Sequence, residues 1–129
     1  MSARLVWHED ASQILVCYLE GDFDIETYAV LEGQLPMMVR EAPHDVDVVF
    51  YLTKGASLPP IMGLIKELEI LMNVMPPNCR QFIGIAEHKL LANPIAVQSA
   101  NMIKRFIFSQ PQKIRFASSI DAVVKAHTL

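Results

Sequence analysis

Apolar residues in this chain follow two rhythms, and their alternation predicts the order of elements. Residues 4–7 and 13–19 are β-prone runs separated by His8, Glu9, Asp10, Ala11 and Ser12, a polar connection of hairpin length, so they read as an antiparallel pair. Within 13–19 the apolar positions are consecutive, which suits a strand covered on both faces, and Glu20-Gly21-Asp22 is expected to end it. From Asp24 the period lengthens. Tyr28, Leu31, Leu35, Met38, Val39 and Ala42 fall on one helical face, and Asp24 is placed to cap its start. Pro36 lies inside this pattern; it lacks an N–H and clashes with the carbonyl four residues back, so a kink is expected there.

A second continuous apolar strand is predicted over 47–52, with Thr53 to Ser57 as the loop that leaves it. Leu58 and Pro59 each precede a proline and stay extended, which makes Pro60 the expected first helical residue. Ile61, Leu64, Ile65, Leu68, Met72 and Met75 then form a core stripe, while Gly63, Ile70 and Val74 cluster on the opposite side at about 100° per residue. That second patch is a candidate contact for another subunit. Residues 79–86 form a third strand with Glu87-His88-Lys89 as its exit loop. Asn93-Pro94 opens a helix whose buried face is expected to be Ile95, Met102, Ile103 and Phe106. A short strand over 113–116 and a final helix capped from Ser118-Ser119 complete the chain.

The predicted order is β-β-α-β-α-β-α-β-α, a single α/β domain over 1–129 with a mostly parallel four- to five-stranded sheet. If sequential strands are neighbours and each crossover is right-handed, the helices gather on one face. Near-continuous apolar strands require cover on the other. Either the strand order reverses, or a second chain or ligand supplies it.

Composition narrows the function classes. A length of 129 residues with 52% hydrophobic content supports one core, and a net charge of -3 without a basic stripe argues against nucleic acid as a partner. Mean hydropathy is high at +0.28, yet charges and prolines break every apolar run well short of a membrane span, and residues 1–8 lack the layout of a secretory signal. A cytoplasmic, non-transmembrane protein is expected. Cys17 and Cys79 sit in apolar strand-like runs as buried thiols rather than a disulfide framework. The surplus of apolar residues is most simply explained by burial against a partner, with a homodimer expected.

Candidate chemistry is sparse. Lys54-Gly55-Ala56-Ser57 before a helix invites an anion site, but Pro59 and Pro60 remove N–H donors where such a nest needs them, and a plain turn is the favoured reading. A hydrolase or transferase built on Ser57 and a histidine is the third-ranked reading; of His8, His44, His88 and His127, His88 stands out because it follows the end of a strand. No paired Cys or His spacing indicates a metal, and no cofactor is expected. Seven methionines fit core filling first, and an adaptable pocket for a small apolar, lipid-like ligand second.

The element order, with Val48-Val49-Phe50-Tyr51-Leu52-Thr53, a short loop and then Pro60-Ile61-Met62-Gly63-Leu64-Ile65, resembles the STAS-like fold of the bacterial anti-sigma factor antagonists. That resemblance implies a non-enzymatic regulatory module working through protein contacts. In the family the strand carries an acid near its end and leads into an Asp-Ser-Ser-Gly type helix start, whose serine is phosphorylated to switch binding. Here Tyr51 replaces the acid and Pro59-Pro60-Ile61-Met62 replaces the serine group, so no switch serine carries over. Thr53, Lys54 and Ser57 remain the nearest candidates for a ligand or switch loop.

Overall fold

β1 (Ser2–Trp7) and β2 (Ile14–Asp22) pair antiparallel, with Arg4 opposite Tyr18 and Val6 opposite Val16. Every later pairing is parallel: β2 with β3 (Val46–Ser57), β3 with β4 (Cys79–Ala86), and β4 with β5 (Ile114–Phe116). The sheet therefore has five strands in chain order. The computed structural model that defines this α/β architecture describes residues 2–57, 61–87 and 94–128.

The segment after β2 starts as expected. Asp24 accepts a hydrogen bond from the Thr27 N–H at 3.0 Å and returns its own N–H to Thr27 Oγ1 at 3.3 Å, a reciprocal cap for α1 (Ile25–Ala29). The expected kink at Pro36 takes the form of a π-helical turn, Val30–Gln34, leading into α2 (Leu35–Glu41). The Leu35 N–H reaches back five residues to the Val30 carbonyl. This widened turn accommodates a proline ring that a regular turn would press against the preceding carbonyl.

Two hydrophobic cores lie on opposite faces of the sheet. Cys17, Val48, Phe50 and Phe82 pack with Leu35 of α2 and Leu71 of α3 (Ile61–Val74) on one face. Ile14, Val16, Val49, Ile83 and Ile85 pack with Val123 of α5 (Ile120–Thr128) on the other. The strand order does not reverse to achieve this. α5 is followed by no further strand of the sheet, so crossover handedness does not bind it, and it supplies cover on the second face. One helix is about 10 Å across. Five strands span about 19 Å. Part of the second face is therefore left open.

Several sequence expectations are corrected. β2 does not end at Glu20, nor β3 at Leu52: the strands continue together, pairing Gly21 with Ala56 and Asp22 with Ser57 beyond a bulge. Gly21 adopts φ 78°, a conformation that glycine alone enters freely, and this carries β2 past the bulge. Each polar extension satisfies the other's backbone groups, which overrides weak strand propensity. The segment from Thr53 to Ser57 is consequently strand rather than loop, while Leu58, Pro59 and Pro60 lie outside the described residues.

On α3 the buried side is turned relative to the expected stripe. Leu71 and Met72 are buried and Leu68 and Met75 pack beside them, but Glu67 is also buried at 6% exposure. The side chains of Ile61 and Leu64 lie outside the described set. Burial, reinforced by the Glu32 carboxyl from the π turn, pushes the Glu67 carboxyl up to about 7, and its Oε1 lacks a hydrogen-bond partner.

The largest correction concerns α4 (Pro94–Ile107). Ile95, Met102, Ile103 and Phe106 are exposed, not buried. The Ala117 N–H bonds to the Gly84 carbonyl, so in the alternating ladder the backbone groups of Ile114 and Phe116 point away from β4 toward the open edge. α4 lies along that edge. Asn101 donates its amide to the Phe116 carbonyl at 3.0 Å and accepts from the Phe116 N–H at 2.9 Å, while Lys104 Nζ donates to the Ile114 carbonyl. A helix that covers a polar strand edge turns its polar residues inward, and its apolar residues face out.

Elsewhere, buried Asp47 accepts from Arg80 Nε at 2.9 Å and from a terminal guanidinium nitrogen at 2.5 Å, joining the starts of β3 and β4. Cys17 and Cys79 are buried free thiols, and desolvation pushes both up to about 12.

A Cβ at Gly84 would lie 2.9 Å from the Phe116 ring, whereas one at Gly33 meets nothing within 4 Å. In urea denaturation Gly84→Ala should lose about 1–3 kcal/mol, and Gly33→Ala should gain about 0.5–1 kcal/mol. For Glu67, a folded value raised from 4.5 to about 7 contributes stability that is complete below pH 4.5 and is lost as pH rises to about 7. Glu67→Gln should remove that dependence and exceed the native protein at pH 8 by about 1–3 kcal/mol.

Candidate functional site

Arg4 on β1 is the register partner of Tyr18 on β2, Tyr18 of Tyr51 on β3, and Tyr51 of Ile85 on β4. A single cross-strand row thus places one cation, two phenols and one aliphatic side chain on the second face of the sheet. α5 covers the aliphatic positions, Ile85 included, through Val123, and leaves Arg4 and the partly buried Tyr18 and Tyr51 as the floor of a cleft of about 510 Å³. Thr53, Ala86 and Glu87 stand at its carboxyl-end rim, and Ser118 to Asp121, leading into α5, form its wall. The carboxyl ends of parallel strands are where open α/β sheets hold ligands, and the volume is in the range of small-molecule sites.

The floor is organised by its rings. Tyr18 and Tyr51 lie 5.4 Å apart between centroids with their planes tilted by 55°. The Arg4 guanidinium sits 4.7 Å above the centre of the Tyr18 ring, close enough for cation–π attraction. The Tyr51 hydroxyl donates to Glu87 Oε1 at 2.7 Å. That bond to a carboxylate, followed by desolvation, pushes the Tyr51 phenol up to about 12. Tyr51 is therefore held neutral, with its proton directed at Glu87.

The rim is tied down by separate bonds. Thr53 Oγ1 donates to the Leu19 carbonyl at 3.0 Å, beside the bulge, so it fastens β3 to β2 as well as lining the cleft. Ser119 Oγ accepts from the Ala122 N–H at 3.1 Å, capping α5 as its sequence predicts. The positive end of the α5 dipole thus borders the cleft. Charge is divided across it, with Arg4 on the β1 side and Glu87 and Asp121 among the groups on the opposite side.

The sequence candidates are dispersed by the fold. Thr53 lines the cleft. Lys54 and Ser57 belong to β3 through their backbones, but their side chains lie outside the described residues, as does all of His88. Gly63 and Val74 are exposed and Ile70 is half-buried on α3, which packs on the other face of the sheet. His8 accepts the Asp10 N–H, and His44 meets Trp7 edge-on at 6.1 Å, both away from the cleft. Among the described residues, no group of three or more His, Cys, Asp or Glu is placed to hold a metal, and no helix is long and apolar enough to cross a membrane.

Sequence reasoning missed Arg4, Tyr18, Tyr51 and Glu87. A signal was present: Tyr18 and Tyr51 interrupt otherwise apolar runs with hydroxyls that need a polar outlet. Spectrophotometric titration should reveal one tyrosine ionising near pH 12. Tyr51→Phe should abolish that late transition and Glu87→Gln should move it down toward 10; a late transition unchanged by both would break the assigned bond. Comparison with known proteins finds no matching family model, no similar curated protein and no similar solved structure.

Proposed function

We propose that the protein is a non-enzymatic, STAS-like regulatory module whose cleft binds a small amphipathic molecule. Its planar or apolar body rests on Tyr18 and Tyr51, and its anionic group faces Arg4. The observation that carries this reading is the Arg4–Tyr18–Tyr51 row, which α5 leaves partly open beside the buried Ile85. The row combines apolar surface with a few convergent polar groups, the composition expected of a small-molecule site.

The alternative reading of the sequence was a carrier of an apolar, lipid-like ligand. The guanidinium and hydroxyls of the floor favour a ligand with a charged end instead, because a pure hydrocarbon would desolvate them without compensation. Regulation through a protein partner is supported by the position of α5. Its capped N-terminus forms one wall, so occupancy of the cleft bears directly on the helix that covers the second core. The hydrolase or transferase reading draws no support from the described residues of this cleft, among which there is no histidine.

Native mass spectrometry of the purified protein, followed by calorimetric titration with aromatic carboxylates and medium-chain fatty acids, tests the reading. A carboxylate should bind, and Arg4→Gln, a change at an exposed position, should weaken it by about tenfold or more without altering the thermal melt. Failure of both ligand classes to bind, or binding indifferent to Arg4, would count against it.

A further inference from the structure

We infer that the outward face of α4 is a self-association surface, on which a second copy of this chain packs its own α4 antiparallel. This inference rests on an observation separate from the cleft. Phe106 is 89% exposed and Ile95 77%, with Met102, Ile103 and Ile107 also among the exposed large apolar residues. Two polar residues of the same helix, Asn101 and Lys104, are engaged on the inner side, where they bond to the backbone of β5. The orientation of α4 is thus fixed by hydrogen bonds to a strand edge, and turning the apolar face inward would break them. Those residues need cover from outside the monomer.

The spacing of the face indicates what covers it. Ile95, Ser99, Met102 and Phe106 are separated by four, three and four residues, the spacing of a helix–helix seam. With a two-fold axis between Ser99 and Met102, Ile95 meets Phe106 of the second copy and the small Ser99 faces Met102. The seam is therefore self-complementary, as an isologous contact requires. The two helix dipoles also run in opposite directions.

The area is sufficient for a dimer. At about 200 Å² for each fully exposed side chain of this size, the five apolar residues present roughly 600 Å². Flanking Gln98, Ser99 and Arg105, all exposed, bring the patch to roughly the 800 Å² per partner of a standard interface. A lipid surface is the weaker match. The chain is net acidic at -3, and of the two cations in the last turn of α4, Lys104 is tied to Ile114, leaving Arg105 exposed. The outer side of α3 offers less, because Ile70 is half-buried there.

Sedimentation velocity of the full chain across the micromolar range decides the matter. The native protein should sediment at twice the 14.5 kDa chain mass. Met102→Glu and Phe106→Glu change exposed side chains and should retain the circular dichroism spectrum and melt, while raising the dimer dissociation constant by at least about 30-fold. Ile70→Asp should leave the dimer intact. A monomer throughout the range, or a dimer indifferent to Met102→Glu and Phe106→Glu, overturns the assignment. A monomer that co-sediments with phosphatidylcholine/phosphatidylglycerol vesicles, and loses that binding in Phe106→Glu, overturns it in favour of a lipid-facing role.

Discussion

A five-stranded sheet built in chain order imposes an imbalance on its two faces, and the remaining features of this protein follow from how that imbalance is met. The segment from α1 to α2 and helix α3 pack on one face, α4 covers the β5 edge, and among the described helices α5 alone covers the other face. One helix cannot span five strands. The fold therefore contains an open row at the carboxyl ends of its central strands, and the side chains on that row differ from those beneath α5. Val16, Val49 and Ile83 lie where the helix covers, and Arg4, Tyr18 and Tyr51 lie beyond it. Burial selects aliphatic residues in the first group, while partial access to water permits a cation and two phenols in the second.

The same accounting explains the edge. β5 is three residues long and exposes backbone groups on its outer side, a liability that the chain removes with Asn101 and Lys104 of α4. Satisfying that edge has a consequence for the opposite side of the helix, because the positions left for apolar residues point outward. Cleft and helix face thus arise from different constraints. The first comes from incomplete cover of a sheet face, and the second from hydrogen bonding to a strand edge.

Much of this architecture was legible in the sequence, and the failures share a cause. The hairpin, the α/β alternation, the Asp24 and Ser119 caps and the Cys79–Ala86 strand are local patterns, and each appears where the pattern places it. The extension of β2 and β3 to Asp22 and Ser57 was not legible, since each polar end is held only by the other. The inversion of α4 was hidden because periodicity identifies an apolar face without saying whether it meets a sheet face or solvent. Glu67 was overlooked because its burial is set by tertiary packing and the carboxyl that acts on it, Glu32 in the π turn, lies 35 positions earlier in the numbering. Thr53 of the candidate loop lines the cleft, and the main residues of the cleft come from four separate strands or strand ends, which no single window of sequence brings together.

The proposed ligand site is the partly open Arg4–Tyr18–Tyr51 row rather than the β3–α3 connection. Mapping backbone amide shifts by NMR on addition of an aromatic carboxylate tests it most directly. Changes concentrated at Arg4, Tyr18, Tyr51, Ile85 and Ser119 are expected. Changes confined to the Thr53–Met62 stretch, or spread over the outer faces of α3 and α4 with the row unaffected, would contradict it.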